Sequence, residues 1–369
     1  MKQLSLIACT SIIIIILFSV SATSLVQAVG VVATISLKHS GGCYGLAYDS
    51  LMDEVFVTNG DTDSVYVISD NSNSVVANVA VGKVPYGAAY DSSMGEVFVA
   101  NHGSNSVSVI SDLNNSVVAT IKVGEAPSAV TYDSGKGEVF VANYNSSSVS
   151  VIADNNNTVV ANIAVGTQPC ALAYDSGENE IFVGHAGSNQ VLVISDVTNA
   201  IVANLTVKNQ PLSLAYDSGT GEIFVASYNS STVSVISDST NKVVATIEVG
   251  PSPNGIAYDS ANCRIFVTNY NSTSLSVVSD SNNTVIATVP LQKQPQGITF
   301  DSGKGELFVT YSESNKVSVI GDSAVLQQGQ TLPDFSSTLA FILVATAAGF
   351  VVVNLVHIKS KRRDKPPKF

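Results

Sequence analysis

Short apolar runs alternate with turn-forming polar residues along most of the chain, in a pattern that predicts β-strands. One representative stretch contains four such runs, at residues 87–90, 96–101, 106–111 and 117–123. The segments between the first and second runs, and between the third and fourth, are rich in Asp, Asn, Ser and Gly and have the composition of tight turns. We name the four predicted strands a, b, c and d in chain order. The pattern therefore predicts a compact unit of four antiparallel strands.

This unit recurs seven times at a constant spacing of 42 residues. A Tyr-Asp pair, with Phe once in place of Tyr, begins at Tyr48, Tyr90, Tyr132, Tyr174, Tyr216, Tyr258 and Phe300. A phenylalanine recurs at Phe56, Phe98, Phe140, Phe182, Phe224, Phe266 and Phe308. An aspartate recurs at Asp70, Asp112, Asp154, Asp196, Asp238, Asp280 and Asp322. Four strands in a repeat of about 40–45 residues are the signature of a β-propeller blade.

The two ends of the repeat region predict how the ring closes. The first β-prone run, residues 31–37, matches a strand d, and the last, residues 316–321, matches a strand c. We expect the N-terminal strand to complete the last blade, because an incomplete blade would leave an unpaired edge. The predicted fold is all-β, a seven-bladed β-propeller over residues 29–322.

The N-terminus has the features of a secretory signal peptide. Lys2 precedes an apolar run at residues 12–20, and small residues stand near Ala28. We predict a signal peptide over residues 1–28 with cleavage after Ala28; the alternative is an uncleaved N-terminal anchor.

The C-terminus has the features of a membrane anchor. After a linker at residues 323–335, the segment 336–358 is apolar enough to cross about 30 Å of hydrocarbon. The tail at residues 359–369 carries six basic residues, which marks the cytoplasmic side. We therefore predict a single-pass type I protein of the cell membrane with its propeller outside; a buried core helix is the alternative.

Composition and charge restrict the classes of partner that we expect the protein to bind. The chain is 45% hydrophobic and 12% charged, which argues against intrinsic disorder. Residues 29–334 hold 28 acidic and 10 basic residues, a net charge of −18. A nucleic-acid-binding protein would present a basic patch to phosphates, so nucleic acid is not an expected partner.

The second strand of each repeat carries a recognisable motif. Residues 55–59 and 265–269 end in Phe-Val-Thr-Asn, and residues 97–101 and 139–143 read Val-Phe-Val-Ala-Asn. This motif resembles the Tyr-Val-Thr-Asn core of the YVTN-type propeller repeats of archaeal surface-layer proteins. Phe replaces the Tyr of that core throughout, and the Asn is replaced at His185, Ser227 and Tyr311. The resemblance covers nearly the whole predicted ectodomain and implies a cell-surface propeller.

A second, shorter motif bears on the anchor. Pro333-Asp334-Phe335, followed by the apolar span and the basic tail, is similar to C-terminal sorting signals of archaeal surface proteins. This resemblance implies that the span is removed and replaced by a lipid. The alternative is an ordinary linker before a retained helix.

One face of the predicted disc is rich in aromatic residues. Strand direction alternates, so the d–a and b–c loops share one face, which we name the aromatic face. Its candidate ligand-binding residues are Tyr44, Tyr86, His102, Tyr144, His185, Tyr228 and Tyr270. Tyr combines apolar area with a hydroxyl, which suits binding of a cell-surface protein or a glycan. The alternative is that these rings only cap blade edges.

These features predict a binding, adhesion or surface-layer module. An extracytoplasmic enzyme of lactonase or streptogramin-lyase type is the alternative, since propellers host many functions. The histidines fall on different blades and no HExxH or CxxC motif occurs, so no metal site, cofactor or catalytic residue is predicted. Cys43, Cys170 and Cys263 fall on separate blades and are not expected to pair.

Two further residue types have predicted roles. The repeated aspartates are expected to satisfy backbone N–H groups in turns, with calcium binding as the alternative. Seven Asn-x-Ser/Thr triplets are candidate glycosylation sites in a secreted chain, at Asn114, Asn145, Asn156, Asn204, Asn229, Asn271 and Asn282.

Overall fold

The computed structural model describes residues 28–39, 41–323, 340–345 and 351–356. Residues 28–323 form seven four-stranded antiparallel sheets, the blades of a β-propeller. The predicted seven-bladed fold is confirmed. The predicted signal peptide, apart from Ala28, and the tail at residues 359–369 lie outside the described residues.

The blades follow one another in chain order. Blade 1 consists of β2 (Cys43–Asp49), β3 (Glu54–Asn59), β4 (Ser64–Ser69) and β5 (Ser74–Ala80). Blade 2 consists of β6 (Pro85–Asp91), β7 (Glu96–Asn101), β8 (Ser106–Ser111) and β9 (Ser116–Lys122). Blade 3 consists of β10 (Pro127–Asp133), β11 (Glu138–Asn143), β12 (Ser148–Ala153) and β13 (Thr158–Ala164). Blade 4 consists of β14 (Pro169–Asp175), β15 (Glu180–His185), β16 (Gln190–Ser195) and β17 (Ile201–Thr206).

The remaining blades complete the ring. Blade 5 consists of β18 (Pro211–Asp217), β19 (Glu222–Ser227), β20 (Thr232–Ser237) and β21 (Lys242–Glu248). Blade 6 consists of β22 (Pro253–Asp259), β23 (Arg264–Asn269), β24 (Ser274–Ser279) and β25 (Thr284–Pro290). Blade 7 consists of β26 (Pro295–Asp301), β27 (Glu306–Tyr311), β28 (Lys316–Ser323) and the N-terminal strand β1 (Ala28–Ser36).

Ring closure through the N-terminal strand is confirmed in detail. β1 pairs antiparallel with β28, from Ala28 opposite Ser323 to Ser36 opposite Lys316. The register shifts at Val32, which is left out of the pairing as Val118 is left out in strand d of blade 2. Both bulge residues are exposed. β1 therefore reproduces an ordinary strand d, bulge included.

The core lies between neighbouring blades. Strands b and c are almost wholly buried because sheets cover them on both faces, whereas strand d at the rim is mostly exposed. The seven repeated phenylalanines are each 0% exposed. Phe56 of blade 1, for example, belongs to one apolar cluster with Val97, Val99 and Ile110 of blade 2. The 42-residue ladder of Phe is thus the packing contact between blades.

The inner strands run close together around the axis. β2 contacts β6 on one side and β26 on the other. A Cβ added at Gly297 would lie 2.2 Å from the backbone oxygen of Tyr44, across the seam between blades 7 and 1. A glycine is required here by close approach of backbone, since that oxygen cannot move aside as a side chain would.

We expect Gly297→Ala to lower the free energy of unfolding by about 1–3 kcal/mol, as overpacking typically does. Gly30→Ala is the matched control, because an added Cβ there meets nothing within 4 Å. Denaturant unfolding of both variants measures the difference. Equal stabilities would show that the inner strands can separate at little cost.

The C-terminal residues form a separate unit. Within it, β29 (Ala340–Ala345) and β30 (Val351–Val356) pair antiparallel, where the sequence predicts part of a transmembrane helix. The other residues of that span lie outside the described residues, and the transmembrane helix stays a prediction. The described residues include no helix long and apolar enough to cross a membrane.

Candidate ligand-binding face

Aromatic rings from three consecutive blades form a continuous arc on the aromatic face. Tyr44 and Tyr86 stack with ring centroids 4.1 Å apart and planes within 10°. His102 follows at 5.1 Å from Tyr86, and Tyr144 at 6.3 Å from His102. The separations of the two pairs that involve His102 fall within the roughly 4.5–7 Å of favourable aromatic pairs, and Tyr44 and Tyr86 stack more closely than that. The structure therefore brings together four of the seven predicted face residues.

The arc forms one wall of a cavity of about 620 Å³ at the mouth of the central channel. This volume falls in the range of small-molecule sites, about 300–1,000 Å³. The opposite wall comes from blades 5 to 7, where the amides of Gln210, Asn254 and Gln296 line the cavity. Aromatic rings and amides thus face each other across the axis.

An apolar collar forms the floor of this cavity. It consists of aliphatic side chains at equivalent positions of the inner strands, namely Leu46, Ala88, Val130, Leu172, Leu214 and Ile298. Leu46, Ala88 and Val130 also line a second cavity, of about 440 Å³, at the other mouth of the channel. The collar therefore separates the two mouths.

The cavity wall is uncharged. No Asp, Glu, Lys or Arg occurs among its lining residues, and His102 is its one imidazole. Burial and the neighbouring Tyr44 raise the pKa of Tyr86 to about 12, so this phenol remains a hydrogen-bond donor at neutral pH. Burial, followed by the charge of Asp61, also raises the pKa of Tyr44.

Two polar atoms of the lining residues are without partners. His102 Nδ1 and Gln296 Oε1 are covered from solvent and have no hydrogen bond to the described residues. Covered polar atoms cost free energy when unpaired. Because both atoms are also shielded from the cavity, they do not form part of its ligand-contacting surface.

Tyr228 and Tyr270 form a second, separate pair on the same face. Their ring centroids are 5.9 Å apart, and Ser312 Oγ donates to the Tyr270 hydroxyl at 3.2 Å. Neither tyrosine lines the cavity. They extend the aromatic surface over blades 5 and 6.

The prediction that His185 contributes to this face is wrong. His185 is the last residue of β15 and only 2% exposed, and its Nε2 donates to the Val165 carbonyl at 2.9 Å. Burial lowers its pKa, which keeps the ring neutral. It occupies the position of Asn59 in blade 1, which is also fully buried. A ligand on the face could not reach it.

The amide residues of the cavity wall are not among the predicted face residues, although the repeat contains a signal for them. The second residue of strand a differs in almost every blade, being Tyr44, Tyr86, Ser128, Cys170, Leu212, Asn254 and Gln296. All seven line the cavity. Variation at one position of an otherwise regular repeat marks the surface where the seven copies differ in chemistry.

Aspartates stabilise the turns of the opposite face. In blade 1, Asp49 Oδ1 accepts hydrogen bonds from the backbone N–H groups of Leu51 and Met52, at 2.8 and 3.1 Å. The same arrangement recurs in the other six blades. The predicted turn role is confirmed for this first aspartate of each repeat, whereas neither side-chain oxygen of Asp70 accepts a hydrogen bond from the described residues. The described residues contain no group of three His, Cys, Asp or Glu side chains arranged as a metal site.

The modification candidates are accessible. All seven asparagines of the Asn-x-Ser/Thr triplets are exposed. Asn145, Asn229 and Asn271 each follow a tyrosine of the aromatic face.

The cysteines of the propeller are free: Cys43 is buried, Cys170 lines the cavity and Cys263 is exposed.

Comparison with known proteins identifies the fold. The chain is similar in structure to hydrazine synthase of Kuenenia stuttgartiensis, with a TM-score of 0.70 over 78% of this chain and 98% of that one. Sequence identity is 17%, so the likeness concerns the fold alone. No protein-family model matches the chain, and no curated protein matches it in sequence.

Proposed function

We propose that this β-propeller is a cell-surface binding module, and that it binds its partner through the aromatic face. The observation that supports this proposal most directly is the continuous arc from Tyr44 to Tyr144, which concentrates aromatic rings on one face of the disc. Tyrosines are over-represented among residues that dominate binding energy. A protein or glycan at the cell surface is the proposed partner class.

The cavity wall supports binding in preference to catalysis. A lactonase or lyase needs a general acid and base within hydrogen-bond reach of the substrate. The wall of the channel mouth offers His102 but no carboxylate or lysine beside it. The lining residues suit a ligand that is bound and released without a chemical change.

The proposed location rests on the sequence. The signal peptide, the apolar span at residues 336–358 and the basic tail together support a type I protein of the cell membrane. The motif of strand b, which resembles YVTN-type repeats, supports a place in the surface layer. The exposed asparagines are compatible with a glycoprotein.

Removing two rings from the face is expected to abolish most partner binding. Beads that display the full chain through its tail are incubated with envelope fragments of the native host, and bound material is quantified. We expect the double variant Tyr144→Ala/Tyr228→Ala to bind about tenfold less, the loss that ~1.4 kcal/mol produces. Leu113→Ala is the control, because Leu113 is 80% exposed in a turn of the opposite face. Equal binding by all three proteins would refute the assignment of the face.

A further inference from the structure

We propose that the central cavity of the aromatic face binds an uncharged saccharide. The inference deepens the proposed binding role of that face and rests on it. We assign the ligand class from the two walls and the floor of the cavity.

The absence of charge from the wall excludes strongly ionic ligands. No lining residue is an Asp, Glu, Lys or Arg. An anion would meet a disc in which residues 29–322 have a net charge of −17, and no Lys or Arg in the cavity wall to pair with it. A cation would find no carboxylate in the wall. Burying an unpaired charge is costly, so a neutral ligand is favoured.

The polar residues of the lining favour a ligand with hydroxyl groups over a purely apolar one. Gln210, Asn254 and Gln296 all line the cavity, and Gln210 Oε1 also accepts a hydrogen bond from Asn229 Nδ2 at 2.7 Å. A hydroxyl both donates and accepts, so it can pair with either the donor or the acceptor of an amide.

The cavity has an aromatic wall and an amide wall, and a sugar ring has an apolar face and a polar edge that match them. A pyranose presents C–H groups on one face, which pack against aromatic rings, and hydroxyls around its edge. In the cavity, Tyr86 and Tyr144 stand on the side of blades 2 and 3, and Asn254 and Gln296 on the side of blades 6 and 7. A sugar placed on the axis would contact rings on one side and amides on the other. The apolar collar below, which includes Leu172 and Leu214, limits how deep it goes.

The absence of Trp provides a direct measurement. The chain has 13 Tyr and no Trp, so intrinsic fluorescence reports on tyrosines such as Tyr44, Tyr86 and Tyr144. Full-length protein in a polyoxyethylene detergent, which carries no sugar, is titrated with the neutral disaccharides maltose, lactose and chitobiose. Saturation-transfer NMR detects the bound sugar independently. Sialyllactose is the anionic comparison.

We expect at least one neutral disaccharide to bind in the millimolar range and sialyllactose to bind more weakly than lactose. Tyr86→Ala is expected to weaken binding about tenfold, equivalent to ~1.4 kcal/mol. Gln296→Leu, which keeps volume but removes the amide, is expected to weaken it several-fold. Thermal unfolding of each variant serves as the control that the propeller remains folded.

Tyr228→Ala separates this inference from the proposed function. Tyr228 lies on the aromatic face but outside the cavity, so its loss is expected to weaken partner binding and leave disaccharide affinity unchanged. If none of the three sugars binds while partner binding still depends on Tyr228, the saccharide inference fails and the proposed function stands. If sugar binding is lost equally in Tyr228→Ala and Tyr86→Ala, the cavity is not the site.

Discussion

Deleting residues 28–36 is expected to prevent the propeller from folding, the largest effect of any change that we predict. β1 supplies the outer strand of blade 7, and its loss would leave β28 as an unpaired edge. Ile35 is only 4% exposed and packs with Phe308 and Val319 of blade 7 and with Val55 of blade 1. The chain then continues from β1 into blade 1, so the same strand ties the two ends of the ring together.

The expected result is an aggregated or unfolded chain without a cooperative thermal transition. Circular dichroism during heating, together with size-exclusion chromatography, measures it. The matched control is a circular permutant in which residues 28–36 follow Ser323 through a short Asn-Gly turn. This permutant restores the pairing of β1 with β28 as a hairpin but removes the link to blade 1.

We expect the permutant to fold and to melt below the wild type, because its blade is complete but its ring is no longer tied across the seam. A deletion variant that melts like the wild type would show that ring closure does not depend on β1. A permutant that fails to fold would assign the effect to the link into blade 1 instead of to strand pairing.

The fold could be predicted from the sequence because the repeat is nearly exact. The predicted strands b and c of blade 2 coincide with Glu96–Asn101 and Ser106–Ser111. Strand a extends further than residues 87–90, because Pro85 pairs with Asn101 across a register shift. Such a shift interrupts the alternation of apolar and polar residues from which the strand was predicted.

The site could be predicted only in part. Tyr86 stands at the start of strand a and Tyr144 just after strand b, so strand order places both on the same face. The cavity also depends on which residue of strand a turns toward the axis, and that is fixed by ring closure instead of by local pattern. His185 was misplaced because it stands at the end of a strand, where the side chain of the equivalent Asn59 is also buried.

Lowering the pH from 7.5 to 5 is expected to stabilise the propeller, the reverse of ordinary acid denaturation. The cause lies at the blade interfaces, where the second aspartate of each repeat faces the first aspartate of the preceding blade. Burial first, and then the neighbouring Asp133, raise the pKa of Asp196 to about 6, although Lys136 opposes the shift. Asp196 is 1% exposed, and Glu138 and Tyr174 also interact with the pair.

Two other interfaces repeat this arrangement. Burial is again the main cause at both, and it raises the pKa of Asp70 beside Asp301, and of Asp322 beside Asp259, to about 6. Lys304 and Arg264 respectively oppose these shifts. The pKa of Asp112, which faces Asp49 in the same way, is raised as well.

The sign of the predicted pH effect follows from the number of protons that the folded and unfolded states bind. The three groups have a pKa of 3.8 when unperturbed and about 6 when folded, so the folded state binds more protons between these values. Their stabilisation is complete below pH 3.8 and is lost as the pH rises through 6. Between pH 5 and 7.5 we expect the three groups together to lose on the order of a few kcal/mol of stabilisation. The buried His185, whose pKa is lowered, acts in the opposite direction but is a single group. We therefore expect a melting temperature several degrees higher at pH 5.

Asp196→Asn tests the cause. Because the amide removes the like charge beside Asp133, we expect this variant to melt above the wild type at pH 7.5 and to lose about a third of the pH effect. Asp61→Asn is the matched control, since it removes the same charge from an exposed position of the aromatic face. Thermal unfolding of the three proteins at intervals from pH 4.5 to 8 decides between the explanations. A smaller pH effect in both variants would assign it to the net charge of −18 instead of to the paired aspartates, and a melting temperature that rises from pH 5 to 7.5 would contradict the prediction altogether.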